Sequence, residues 1–175
     1  MNRKDIEKLL KELDKELCKQ QLTSRVQIMI VGGAYMLTQI RNREATNDVD
    51  VVFLHIEDRQ IFKQSVVSIA RKQQLPVTWL NDLVDDFLTE LGLPGKYVPW
   101  KRFKCLEVYV PPKEYILALK LLAGRQKDLP DIDALAKQLK IRTRKQAQQL
   151  LDRHFSRRVQ QIYEVRNTLE FCFPQ

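Results

Sequence analysis

Ile6, Leu9, Leu10, Leu13 and Leu17 recur at intervals of three and four residues, the spacing that gathers side chains on one face of a helix. An amphipathic helix is therefore expected over residues 3–20. Val26 to Val31 is a short apolar run that stops at Gly32-Gly33, which reads as a strand entering a turn. Ala34 to Ile40 is expected to be helical and the polar Arg41 to Asn47 a loop. A second strand, Asp48 to Leu54, follows it. Ile61 to Lys72 has helical spacing, Pro76 to Leu80 is a third strand candidate, and Asn81 or Asp82 should cap a short acidic helix ending near Gly92. Gly95 to Trp100 reads as loop or edge strand, and Cys105 to Val110 alternates like a strand.

Beyond Pro111-Pro112 the pattern is helical throughout. One helix runs from the prolines to about Leu122, because proline is tolerated in a first turn. Asp128-Leu129-Pro130-Asp131 reads as a cap and a new helix, with Asp128 accepting from a free amide near Asp131. Thr143-Arg144-Lys145-Gln146 has the form of a capping box. Ser156 to Leu169 is expected to form the last helix. This order predicts an α+β protein with a small mixed β-sheet flanked by helices and an all-helical C-terminal part. The division expected is a core over 1–125 and a helical extension over 126–175, packed as a single compact unit.

Composition narrows the class. Hydrophobic residues make up 44% of the 175 and charged residues 30%, proportions of a folded globular chain. No apolar run approaches the roughly 20 residues of a membrane span, and residues 1–20 are too charged for a signal peptide. Cys18, Cys105 and Cys172 are odd in number and widely spaced, which argues against a disulfide framework or zinc cluster and makes the cytoplasm the expected compartment. The net charge of +8 is uneven. Residues 1–95 hold 13 Lys+Arg against 14 Asp+Glu, and residues 96–175 hold 17 against 8. A basic half of this kind suits a polyanion such as RNA, although solvated lysines on helix faces give the same count.

The chemistry begins with Gly32 and Gly33. Fifteen residues after Gly33, Asp48-Val49-Asp50 heads the apolar run Val51 to Leu54. Side chains alternate along a strand, so Asp48 and Asp50 share a face. Two carboxylates entering a buried strand need neutralising, and hard divalent cations with oxygen ligands do this well. Paired glycines let a phosphate approach the backbone at a strand-to-helix turn, though a glycine pair is as often turn chemistry alone.

Lys120, Arg125, Lys127, Asp128 and Asp131 fall within twelve residues around a helix end and the next helix start. Lysine and arginine at one corner suit a triphosphate. Capping explains the two aspartates equally well, and snorkelling explains Lys120. Glu107 is either a third carboxylate on a neighbouring strand or the outward residue of an edge strand. His55 and His154 lack ligand-like neighbours. Trp79 and Trp100 read as core residues before they read as base-stacking ones.

Gly-Gly, a polar loop and Asp-x-Asp on a strand resemble the DNA polymerase beta nucleotidyltransferase superfamily. Lys120-Leu-Leu-Ala-Gly-Arg125-Gln-Lys127-Asp128-Leu-Pro-Asp131 resembles the Lys…Arg-x-Lys-Asp-x-x-Asp motif of AbiEii-type toxin nucleotidyltransferases and their small bacterial relatives. The likeness spans roughly residues 26–140. It implies an enzyme that moves a nucleotide from a nucleoside triphosphate such as ATP, with Mg²⁺ (two ions), to a hydroxyl acceptor such as RNA or tRNA, as a toxin opposed by an antitoxin partner. Gly32 and Gly33 would then cradle the triphosphate, Asp48 and Asp50 would bind metal, and Lys120 and Arg125 would contact the phosphates. The general base stays open among Asp128, Asp131 and Glu107. Gly33 stands where the family often has a serine, which leaves phosphate binding there to backbone amides. The alternatives are an inactive RNA-binding or antitoxin-like module of the same fold, or a nucleotidyltransferase acting on a protein or small molecule.

Overall fold

The computed structural model describes residues 1–174, which form two compact units. The first comprises Met1–Glu90 and Tyr97–Val110; the second comprises Leu91–Lys96 and the chain from Pro111 onward. The protein is α+β, with a five-stranded mixed sheet, flanking helices and a helical C-terminal part.

In the first unit, α1 (Arg3–Leu17) is closed at its N-terminus by a reciprocal pair, Asn2 accepting from the Asp5 amide and Asp5 accepting from that of Asn2. Its stripe Ile6, Leu9, Leu10, Leu13 and Leu17 is buried, and α1 packs on α3 (Arg59–Gln73) and β5 (Leu106–Val110). Each such side chain contributes roughly 1.5–3 kcal/mol by leaving water. The sheet order is β3 (Leu80–Asn81), β2 (Val49–His55), β1 (Val26–Ile30), β5 and β4 (Val98–Arg102). β1 is antiparallel to β2 and parallel to β5. Glu107 thus lies on an interior strand rather than an edge.

Two expectations for this unit differ. Pro76 to Leu80 is mostly a turn, with Trp79 donating to the Pro76 carbonyl, and only Leu80–Asn81 pairs with β2. Trp79 is buried and its indole donates to the Val66 carbonyl, so core packing takes this segment. Beyond β3, the buried Asp85, at the start of α4 (Asp85–Leu91), accepts from the Phe53 amide at 2.7 Å and so satisfies one backbone donor of β2. The second difference is covalent: Cys18, at the end of α1, forms a disulfide with Cys105, just ahead of β5. Asp14, one turn before Cys18, accepts from the amides of Cys105 and Leu106 at 2.7 and 3.1 Å, which brings the two cysteines together across 87 residues. Cys172 alone is free, and cysteine usage no longer argues for the cytoplasm.

The second unit holds α5 (Lys113–Ala123), a 3₁₀ turn (Gln126–Asp128), α6 (Leu129–Leu139), α7 (Arg144–His154), α8 (Arg157–Ile162) and α9 (Val165–Cys172). The Thr143/Gln146 capping box forms as expected. The single last helix does not, because Glu164 adopts a left-handed conformation (φ 49°) between α8 and α9. Since α5 packs on α6, α7 and α9, the break falls at 110/111 rather than at 125/126. Among the described residues, no helix is long and apolar enough to cross a membrane.

Candidate functional site

β1 ends at Ile30, Val31 stays extended, and the chain turns at Gly32 into the short helix α2 (Gly32–Tyr35), which continues as a π-helical turn, Met36–Ile40. The Val31 amide donates to the Asp50 carbonyl at 3.0 Å, lacing this turn to the start of β2. Gly32 has φ +61°, and a Cβ placed on it would stand 2.5 Å from Asp50 Oδ2. Any side chain there would be strained and would push the Asp50 carboxylate aside. The two sequence motifs therefore meet, with the Asp50 carboxylate lying on the Gly32 backbone.

Val49 and Val51 are fully buried, whereas Asp48 and Asp50 are half-buried and share the other face of the strand, where the buried Val52 follows them. Asp48 has no side-chain partner among the described residues, while its carbonyl accepts from Thr46 Oγ1 at 3.1 Å. Asn81 stands opposite Asp50 in β3. Its side chain accepts from the Leu83 amide, shaping the turn beyond the strand.

Two neighbours escape the sequence reading, which treats Arg41 to Asn47 as a connector. A Cβ on Gly33 would meet Thr46 Oγ1 at 2.8 Å and an Arg43 guanidinium nitrogen at 3.5 Å. Thr46 is buried, and its amide donates to the Met1 carbonyl at 2.9 Å, tying the loop ahead of Asp48 to the start of α1. A threonine and an arginine in a short loop are unremarkable in one dimension. Only the return of this loop onto Gly33 makes them part of the site.

Glu107 does not join the carboxylate pair. It is level with Gln27 on β1, four residues from Val31, or about 13 Å at 3.3 Å per residue. It accepts from Tyr109 Oη at 2.8 Å, Arg25 at 3.0 Å and Gln27 at 3.0 Å. The Tyr109 hydroxyl first, and Arg25 after it, hold its carboxyl below the usual range against the opposing effect of burial. Its surroundings are those of a neutralised interior acid, which takes it out of the contest for general base.

The second motif closes on itself within the C-terminal unit. Lys120 Nζ lies 2.7 Å from Asp128 Oδ1 and 2.7 Å from Asp131 Oδ2, and all three side chains are buried, Asp131 completely. Asp128 makes no capping hydrogen bond to the start of α6; its carboxylate turns to Lys120 instead. A lysine enclosed by two carboxylates is an ion-pair node joining α5 to α6. Arg125 and Lys127 are exposed and have no carboxylate partner among the described residues. His154 packs edge-on against Tyr115 and burial lowers its pKa, so it belongs to the packing of α5 and α7.

Compared with family models, curated proteins and solved structures, the chain matches none of them. Chemically, the first group offers two carboxylates on one strand face beside a half-buried glycine turn, with an arginine and a threonine alongside. Oxygen ligands of this kind fit a hard divalent cation, with positions left for water or phosphate oxygens.

Proposed function

We propose that this protein is a Mg²⁺-dependent nucleotidyltransferase that moves a nucleotide from a nucleoside triphosphate to a hydroxyl acceptor, with RNA as the acceptor class. The observation that carries the reading is the placement of Asp50 on the Gly32 backbone with Asp48 on the same face. Metal held by Asp48 and Asp50 would supply positive charge to the triphosphate and to the attacking oxygen. The Thr46 hydroxyl stands over Gly33 as a donor that a phosphate oxygen would use there. Arg43 provides a planar cation next to Gly33.

The second motif takes a different part from the one its resemblance implies. Lys120, already neutralised by Asp128 and Asp131, holds α5 and α6 at a fixed angle rather than touching phosphate. Exposed Arg125 remains a candidate for anion contact. The basic excess of the C-terminal half supports a polyanionic acceptor.

Incubating the protein with each labelled nucleoside triphosphate, Mg²⁺ and total RNA tests the proposal. Label is expected in RNA, with none transferred by Asp48→Asn or Asp50→Asn variants that keep the wild-type melting curve. Wild-type rates from either variant would remove the proposal. Label in protein instead would preserve the chemistry and replace the acceptor.

A further inference from the structure

Asp14 lies in the last turn of α1, and Cys18, the residue that closes the helix, still has helical backbone angles (φ −66°, ψ −13°). The two are therefore four residues apart on one helix face, a spacing that suits a pair of metal ligands. Cys105 reaches them from the start of β5, and one ligand atom from each of the three residues lies within 4.8 Å of the other two. Asp14 Oδ1 stands 3.9 Å from Cys18 Sγ, close to the roughly 3.5 Å that separates a sulfur from an oxygen bound to the same tetrahedral zinc. Asp14 is buried and both cysteines are half-buried, so the group borders the core with one side open to water.

This grouping does not hang on the bond between the sulfurs. Asp14 Oδ1 accepts from the amides of Cys105 and Leu106 at 2.7 and 3.1 Å, and the buried stripe of α1 packs on β5. Both contacts outlast reduction of the disulfide, and they keep the two thiols beside the carboxylate. Asp14 Oδ2 has no hydrogen-bond partner among the described residues, which leaves that oxygen for a ligand. Two thiolates and a half-enclosed carboxylate repel one another, and a bound cation removes that cost. Sulfur ligands select zinc over the hard Mg²⁺ that Asp48 and Asp50 suit.

We propose that Asp14, Cys18 and Cys105 form a Zn²⁺ site when the disulfide is reduced, so that the same residues join α1 to β5 by a covalent bond in one redox state and by a metal ion in the other. A thiol reductant opens the bond by exchange: two electrons pass to the cysteine sulfurs, each sulfur takes up a proton, and the reductant leaves as its own disulfide. Zn²⁺ then binds both sulfurs and Asp14, releasing the two thiol protons to solvent, with water completing the tetrahedron on the open side. The site is separate from Asp48 and Asp50 and does not depend on the nucleotidyltransferase reading.

Metal titration of the full chain, reduced with dithiothreitol and freed of it without air, tests this. The reduced protein is expected to take up one equivalent of Co²⁺ with thiolate-to-cobalt charge-transfer absorption, which Zn²⁺ abolishes by displacement and excess Mg²⁺ does not. The oxidised protein and Cys18→Ser/Cys105→Ser should lack that absorption, and reduced Cys172→Ser should keep it. Asp14→Asn retains an oxygen for the two amides but loses the charge, and should weaken Zn²⁺ binding about tenfold or more. Circular dichroism verifies folding of each protein. A reduced chain that shows no thiolate-to-cobalt band or loses its fold overturns the proposal. So does a band that survives Cys18→Ser/Cys105→Ser or vanishes in Cys172→Ser, or a Zn²⁺ affinity unchanged in Asp14→Asn.

Discussion

The Asp50 carboxylate rests on the backbone of Gly32, so close that a methyl group on that glycine would stand 2.5 Å from Oδ2. A positive φ adds a second constraint at the same residue. Gly32→Ala is therefore expected to displace Asp50 and to cost about 1–3 kcal/mol. Urea unfolding measures the stability loss, and Mg²⁺ titration by calorimetry reads the displaced carboxylate. A variant with unchanged stability and unchanged Mg²⁺ affinity would show that the contact has no consequence.

Lys120 neutralises two buried carboxylates, and removing it leaves both uncompensated. Lys120→Met is expected to destabilise the protein by about 3–5 kcal/mol. The triple change Lys120→Met/Asp128→Asn/Asp131→Asn should recover much of that loss, because it removes the stranded charge as well. Chemical denaturation of the three proteins provides the comparison. A phosphate-binding lysine predicts the opposite order: little change in stability and a large loss of nucleotide affinity.

The disulfide between Cys18 and Cys105 closes a loop spanning 87 residues of separation. Restricting the unfolded chain over such a loop stabilises the folded protein by about 2–4 kcal/mol. Treatment with a thiol reductant, or the double change Cys18→Ser/Cys105→Ser, should lower the melting temperature measurably. Cys172→Ser, which leaves the bond intact, should not show this reductant-sensitive drop.

Glu57 accepts hydrogen bonds from the Ser24 hydroxyl, the Thr23 amide and hydroxyl, and the Ser24 amide, which together pull its carboxyl from an ordinary 4.5 to about 2. A depressed folded-state value means stability that is complete above about 4.5 and is lost as the pH falls toward 2. Glu57→Gln is expected to lower the melting temperature at neutral pH and to flatten its fall between those limits, so that variant and wild type converge toward pH 2. Scanning calorimetry from pH 5 to pH 2 reads both slopes, and identical slopes would deny Glu57 that role.

Local pattern alone determines a good part of this protein. The stripe Ile6 to Leu17, the apolar run of β2 and the Thr143/Gln146 box all follow from spacing, because each depends on neighbours within a few residues. The α+β class follows from the order of those elements. Tertiary structure decides what depends on residues far apart in the chain. The burial of Trp79 turned an expected strand into a turn, and Asp14 drew Cys105 onto the end of α1 for a disulfide that three scattered cysteines do not announce. Return of the 41–47 loop added Arg43 and Thr46 beside Gly33. Lys120, Asp128 and Asp131 show the divide most clearly. Their spacing is equally that of a phosphate grip and of a helix corner, and only the closure of both carboxylates on one buried ammonium, where an unpaired charge is costly, selects the corner.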